Sequence, residues 1–431
     1  MRNKFKYLTI TVSLLFVFCS GFGQEYFGIG INGFASQGYL RSTENNYLGK
    51  SKDGSFEFNE VGINFQKNLT ENLRVGLQLF ARDLGSQGND EVIIDWALLD
   101  YKWRSFLNVR VGKIKLPIGL YNEERDIDLL RTSILLPQSV YNEPQREVLS
   151  ALEGMSLYGS FDMKKFGSID YNILVGSIST NPEAPFIKDP YLSNVDSAAS
   201  LATSGLSAVP GFVDVNSLTG NSKVDVNHLI VLQLVYNTPL EGFKIGGSYY
   251  ETDLEFSGDF ALVTNFTNPA DPSGTSIISS ISKISFFNEI TLRSGVVSME
   301  YIWKDLTLSA EAMLQAWWVE NIRRDNEVAG FYLSASYQFN DKFAFGAYYS
   351  VLYEDLGNKD GSNLVALGRN DFEGFQKDFA ITGRYDVNEY LVIKAEVHII
   401  NGTADVSYVD NLVNPLKEDW VLFALKTTIS F

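Results

Sequence analysis

The sequence predicts an all-β fold, a transmembrane antiparallel β-barrel of about 16 strands, on three observations. Apolar and polar residues alternate with period two in repeated runs of about 9 to 14 residues. Short, polar connections alternate with longer ones along the chain. The first residues have the pattern of a secretory signal. No stretch after residue 18 approaches the roughly 18 consecutive apolar residues of a membrane-spanning helix, so the chain is expected to cross a membrane with strands.

Residues 1–23 are predicted to be a signal peptide that is removed from the fold. A basic start precedes the apolar run at residues 7–18, and residues 21–23 offer a small–x–small cleavage site before Gln24. The apolar run is too short to span a bilayer as a helix. The alternative is a lipoprotein anchored at Cys19, the chain's one cysteine, but the bulky residue before it departs from that pattern. The expected mature chain, residues 24–431, is one barrel domain.

Composition excludes several kinds of site. The mature chain has no cysteine, so it has no disulfide and no thiolate metal site. His228 and His398 are the only histidines, too few for a histidine-rich metal centre, and no cofactor is expected. The formal net charge of −17 argues against a nucleic-acid partner, which requires a basic face.

The last strand shows the alternation best. From residue 421 to residue 431 the odd positions are mostly apolar, while the even positions include Lys426 and Thr428. Because successive side chains of a strand point to opposite faces, one face suits lipid and the other suits water. The same pattern recurs at residues 73–82, 331–339 and 391–399.

The connections set the strand number. Seven are tight and polar, around residues 68–71, 103–105, 164–167, 239–242, 304–305, 340–342 and 386–389. Eight others, most of them longer, lie near residues 42–54, 84–89, 116–148, 179–224, 254–287, 319–327, 354–372 and 402–417. Their alternation gives an even strand number with both termini on the short-turn side, as in outer-membrane barrels. The alternative is a soluble β-sandwich or propeller, in which long and short connections need not alternate.

Residues 108–122 carry a family resemblance. Within them Arg110-x-Gly112-Lys113 is followed by Pro117-x-Gly119. This run resembles the strand and loop start of the outer-membrane porin superfamily that includes the phosphate-selective porins of the porin O and P type. The resemblance implies a usually trimeric diffusion channel in a bacterial outer membrane, surrounded by lipid and lipopolysaccharide. Phosphate-selective members line the pore with many Arg and Lys, and this acidic chain shows no comparable excess.

Residues 116–148 form the third long loop. The segment is too long for a simple hairpin and too apolar to extend freely into water. We expect it to fold into the barrel lumen and to narrow the pore, mainly because of the family resemblance. The alternative is an external loop that packs at a trimer interface.

Charges near this loop suggest a mechanism. Strand parity turns three arginines toward the lumen, and acids with two more arginines crowd the start of the loop. A transverse field between loop acids and wall arginines would set ion preference; the alternative is that these charges merely solvate a wet lumen. The predicted pore-lining residues are Arg74, Arg82, Arg110, Glu123, Glu124, Arg125, Asp126, Asp128 and Arg131. Lys394, Glu396 and His398 share one strand face and are expected to form one polar wall network.

The sequence therefore favours a passive channel for small hydrophilic solutes or ions, not an enzyme. Alternatives are a substrate-specific channel for phosphate, another anion or an oligosaccharide, and a non-transporting barrel that acts as an adhesin or receptor. No nucleophile elbow, phosphate-binding loop or Cys–His pair occurs. His398 with Asp405 and Ser407 has a loose likeness to a barrel-rim hydrolase, but a wall histidine is the preferred interpretation.

Overall fold

The computed structural model describes residues 25–26, 28–85, 87–180, 185–271, 273, 275–320, 324–411 and 415–431. The predicted signal peptide, residues 1–23, lies outside the described residues.

In this described part of the chain, sixteen strands form one closed antiparallel barrel. Each strand pairs with its sequence neighbours, and the last strand pairs with the first, from Leu422 opposite Ser42 to Ser430 opposite Phe34. A two-residue strand, Glu25–Tyr26, adds to the first strand and is not counted. The strands are β1 (Ile29–Ser42), β2 (Phe58–Asn68), β3 (Leu73–Leu84), β4 (Ile93–Arg104), β5 (Leu107–Lys115), β6 (Ala151–Asp162), β7 (Ser168–Ser177), β8 (Phe212–Asn237), β9 (Phe243–Thr267), β10 (Ile277–Trp303), β11 (Leu306–Val319), β12 (Arg324–Asn340), β13 (Phe343–Tyr353), β14 (Phe375–Asp386), β15 (Leu391–Gly402) and β16 (Asp419–Ser430).

The predicted two-faced strands are confirmed. On β15, Val397 and Ile399 are exposed on the outer surface, whereas Lys394, Glu396 and His398 are buried on the inner face. An apolar exterior around a sheet without edges satisfies every backbone group and suits a lipid environment. The fold is therefore the predicted transmembrane β-barrel.

The alternation of connections is confirmed as well. The seven turns that leave the even-numbered strands β2 to β14 span at most five residues, and both chain ends lie on their side. The connections on the other side reach 35 residues, at 116–150. Among the described residues, no helix is long and apolar enough to cross a membrane.

Two loops are shorter than the sequence predicts, because parts of them are strand. Strand β8 already begins at Phe212, and β9 and β10 extend to Thr267 and from Ile277, so residues 212–224, 254–267 and 277–287 are strand. These three strands have 26, 25 and 27 residues, far more than the about 9 to 11 that a tilted strand needs to cross a membrane. Their outer halves are rich in Ser, Thr and Asn, which resembles loop composition, because this sheet projects beyond the apolar belt.

A helix covers one face of the projecting sheet. Helix α2 spans Pro185–Leu206 within the connection from β7 to β8, while α1 spans Glu143–Leu149 in the third loop. Tyr191 and Val195 of α2 pack in one cluster with Phe256 and Phe260 of β9. The cluster continues into the barrel to Leu116 and Ile118, so the interior beneath the projecting sheet is apolar.

Candidate functional site

Residues 116–148, called the inner segment below, connect β5 to β6. Its backbone contains a 3-10 turn, Asp128–Leu130, and most of α1. The side chain of Asn142 caps α1 by accepting a hydrogen bond of 2.9 Å from the backbone N–H of Gln145. Unlike a solvated external loop, the segment is buried over much of its length, as at Leu116, where no surface is exposed.

Both ends of the inner segment are bonded to β11 and its neighbours. The buried carboxylate of Glu311 on β11 accepts from the backbone N–H of Leu120 at 2.9 Å and from the Tyr332 hydroxyl on β12 at 2.7 Å. The hydroxyls of Tyr141 and Ser298 donate to the same carboxylate. Four donors around one buried carboxylate compensate the cost of its burial, so Glu311 fixes the segment to this wall.

The middle of the segment is bonded to β14 and β15. The Lys394 ammonium group donates to the backbone carbonyl of Asp128 at 2.7 Å. The Glu396 carboxylate accepts from the backbone N–H groups of Ile134 at 2.9 Å and Leu135 at 3.0 Å. The expected polar network of Lys394, Glu396 and His398 thus exists, and two of its members bind the segment's main chain.

His398 completes this wall network. Its Nε2 lies 3.0 Å from the Glu396 carboxylate and its Nδ1 lies 2.9 Å from the Asp378 carboxylate. The Tyr348 hydroxyl donates to Asp378 at 3.0 Å. The ring is buried, and both of its nitrogens lie against carboxylates, which is the arrangement of a wall network.

Asp128 is a centre of charge in the segment. Its carboxylate lies 2.7 Å from the Lys426 ammonium group and 2.9 Å from the Arg131 guanidinium group, and it accepts from the Thr428 hydroxyl at 2.7 Å. Burial by itself would raise the pKa of Asp128, but the charges of Lys426, Lys394 and Arg131 outweigh burial and hold the pKa well below its ordinary value. Asp128 is therefore ionised and tied to β16.

A second charged cluster lies at α1. The Glu143 carboxylate is 2.8 Å from Arg82 on β3 and 2.8 Å from Arg125. Arg146, one turn later, pairs with Asp126 and with Glu60 of β2 at 2.9 Å. Burial opposes ionisation of Glu143, yet the three guanidinium groups hold its pKa below the ordinary range. Every charge in this cluster has a close partner of opposite sign.

Two cavities occupy the end of the barrel that carries the short turns. One, of about 980 Å³, is bordered by Glu124 and Arg131 of the segment and by Arg384 of β14. The other, of about 480 Å³, is bordered by Arg74 and Arg110 of the wall, together with Glu123, Asp126 and Asp128 of the segment. The segment thus forms the inner boundary of both cavities.

The predicted pore-lining residues do not form one row of acids facing one row of arginines. Arg74 pairs with Asp100 on β4 at 3.1 Å, and Arg110 lies between that carboxylate at 3.8 Å and Glu123 at 3.9 Å. Arg82 is bound to Glu143 at 2.8 Å. Sequence reasoning did not single out Asp100, Glu143, Arg146, Glu311 or Lys426. Polar residues at inward positions of apolar strands were the available signal for Glu311 and Lys426.

Among the described residues, no group of three or more His, Cys, Asp or Glu side chains is arranged to hold a metal ion. The charged clusters instead consist of acids already paired with Lys and Arg. These clusters hold the inner segment in place and present paired charges to a solute.

Comparisons with known proteins relate this chain to porins through its fold. No protein-family model and no curated protein matches the sequence. Salmonella typhi OmpF, solved in complex with daunomycin, is 12% identical with a TM-score of 0.56 over 94% of this chain and 97% of that one. The outer-membrane channel DcaP of Acinetobacter baumannii is 10% identical, with a TM-score of 0.52 over 96% of this chain and 100% of that one. An anion-selective porin from Comamonas acidovorans is 11% identical, with a TM-score of 0.52 over 94% of this chain and 99% of that one. At these identities the likeness shows the fold, a closed barrel of the porin type.

Proposed function

We propose that the protein is a bacterial outer-membrane channel for small hydrophilic solutes, and that the inner segment crosses its lumen as the constriction. The observation that carries the proposal is the bonding of this one segment to β11 through Glu311, to β15 through Lys394 and to β3 through Arg82. These strands lie on different sides of a closed barrel. Bonds from one segment to inner-face residues on all of them support a path of the segment through the interior.

The charges support a general channel over a phosphate-specific one. The five arginines of the predicted set each lie within 4 Å of a carboxylate. Their positive charge is thereby balanced, which does not favour a row of free cations that would concentrate phosphate. We propose a homotrimer in contact with outer-membrane lipid and lipopolysaccharide, since the sequence resemblance implies that assembly.

A second candidate is a barrel that does not transport. It is favoured by two apolar clusters on the loop side of the inner segment: the cluster around Tyr191 and Phe256, and a second one in which Ile134 and Leu135 pack against Trp420 and Leu422. Apolar packing of this kind does not favour the passage of hydrophilic solutes. An adhesin or receptor would need only the external surface of such a barrel.

Single-channel recording separates the two candidates. Purified protein inserted into planar bilayers is expected to give discrete, reproducible conductance steps if it is a channel, including a low-conductance closed level. A preparation that is folded by heat-modifiable migration in gels, yet leaves the bilayer silent over a wide voltage range, would overturn the channel and favour the receptor or adhesin.

A further inference from the structure

An ion pair borders two cavities in the barrel interior. The smaller, of about 20 Å³, is bordered by Arg146 together with Arg125 and Asn142, and has room for about one water molecule. The larger is the 480 Å³ cavity at the short-turn end, which is bordered by Asp126 and Lys115. Asp126 and Arg146 bond to each other, and one member of this pair lines each cavity.

Two apolar clusters contain residues of the inner segment that carries Asp126 and Arg146. Leu116 and Ile118 belong to the cluster beneath the projecting sheet. Ile134 and Leu135 belong to the second cluster, which reaches β16. Because moving an ion or a polar solute through apolar packing costs several kcal/mol or more, we expect a hydrophilic passage to follow polar residues outside both clusters. Asp126 and Arg146 are polar and belong to neither cluster.

Both members of the pair also bond to other charged neighbours, so each of them has more than one partner of opposite charge. Arg146 also lies 2.9 Å from Glu60 and 3.6 Å from Glu143. Asp126 also pairs with Lys115 and accepts from Gln78 at 3.2 Å. Each member therefore keeps a partner of opposite charge when the bond between them breaks, which lowers the cost of separating them.

We propose that Asp126 and Arg146 form the shutter of the channel, closed in this structure, through which small hydrophilic solutes pass when the two side chains separate. This role rests on the proposed channel function. The side chains remain attached to their outer partners, Lys115 and Glu60, and the gap between them joins the two cavities. The residues that set the aperture are thus one acid of the inner segment and one base of α1.

The test compares single-channel conductance of the wild type with that of the double variant D126N/R146Q, which removes both charges and keeps similar size. The open-level conductance or the fraction of time open is expected to rise about threefold or more, since the charged closure is lost. The matched control is E251Q/R293Q, which removes an exposed pair of 3.1 Å on the outer face of β9 and β10; it should conduct as the wild type does.

The outcomes are distinct. If the wild type conducts and the D126N/R146Q variant has the same conductance and open fraction, the shutter role of Asp126 and Arg146 is wrong. The proposed channel function is not contradicted by that result. Silence of all the folded proteins overturns both proposals. If the double variant does not fold, D126N alone replaces it, because Arg146 then retains Glu60 and Glu143, and Lys115 retains Asp95 at 2.9 Å. A folded D126N protein with wild-type gating likewise overturns the shutter.

Discussion

The Ser350 hydroxyl on β13 donates a hydrogen bond of 2.8 Å to the Ser139 hydroxyl in the inner segment. This contact joins positions that are 211 residues apart in the chain and buries both hydroxyls. A disulfide requires β-carbons about 3.8 Å apart and sulfurs about 2.05 Å apart. Two serines whose hydroxyl oxygens are 2.8 Å apart come close to this geometry.

The first prediction uses this contact to locate the segment. The variant S139C/S350C is expected to form a disulfide on mild oxidation, because the expected mature chain has no cysteine of its own. The measure is a shift in gel migration that a reductant reverses. The control S139C/S279C places the second cysteine on the exposed, projecting part of β10 and should stay reduced; equal disulfide yield in both would contradict the position of the segment.

The second prediction concerns Glu311. Replacing it with alanine leaves the buried hydroxyls of Ser298, Tyr141 and Tyr332 without their acceptor, and each such loss costs about 1 to 3 kcal/mol. We expect E311A to lower the free energy of unfolding in detergent by about 3 kcal/mol or more, and E311Q by less.

The same variant should loosen the inner segment locally. Combined with S139C/S350C, the E311A change is expected to reduce the rate of disulfide formation, because Tyr141 loses its anchor two residues from Ser139. The control E389A removes an exposed carboxylate in the turn after β14 and should change the unfolding free energy by less than about 0.5 kcal/mol. Equal effects of E311A and E389A would show that the buried carboxylate does not hold the segment.

Much of the fold follows from local sequence, whereas much of the site does not. The alternation at residues 391–399 fixes which face of β15 is wet, so Lys394 and Glu396 could be assigned to the inner wall without knowing their partners. The partners themselves are distant in sequence: Lys394 donates to the carbonyl of Asp128, 266 residues away. A pattern of period two carries no information on which two inner positions meet across a barrel.

The misplaced loop boundaries have a different cause. Residues 277–287 alternate weakly and are rich in serine, which is the composition of a loop. They are strand because β9 pairs with them along its full length, from Thr267 opposite Ile277 onward. Pairing with a neighbour, and not the local composition, decides the structure of a sheet that projects beyond the membrane.

The third prediction concerns pH. Burial, with a further contribution from Glu143, raises the pKa of Asp405 from 3.8 to about 7, although Tyr47 and Asn142 donate hydrogen bonds to its carboxylate. The folded protein thus binds a proton that the unfolded chain releases above about pH 4. Stability from this group is present below that pH and is lost as the pH rises to about 7.

The variant D405N removes this titration and keeps the shape of the side chain. Its free energy of unfolding relative to the wild type is expected to increase between pH 4 and pH 8 by up to about 4 kcal/mol, the value of a shift of about three pKa units. The measurement is a denaturant titration in detergent at several pH values. A difference between D405N and wild type that is constant over this range would contradict the raised pKa.

The fourth prediction concerns ion preference. Arg74 and Arg110 border the 480 Å³ cavity and are 44% and 22% exposed, so their charge faces the solution that an ion traverses. Replacing both with glutamine removes the two guanidinium groups near Asp100. It also removes one of the two positive charges near Glu123, the other being Lys115. Fixed charge in a narrow passage sets the sign of the permeating ions.

The reversal potential of R74Q/R110Q in a salt gradient across a planar bilayer is therefore expected to move toward cation preference. Arg82 is kept in this variant, because its loss would leave Glu143 partly unpaired and confuse selectivity with stability. The control R41Q/R104Q changes two exposed arginines, one on β1 and one at the end of β4, and should leave the reversal potential at the wild-type value. A wild-type reversal potential for R74Q/R110Q would mean that ions do not pass this cavity wall closely enough to sense its charge.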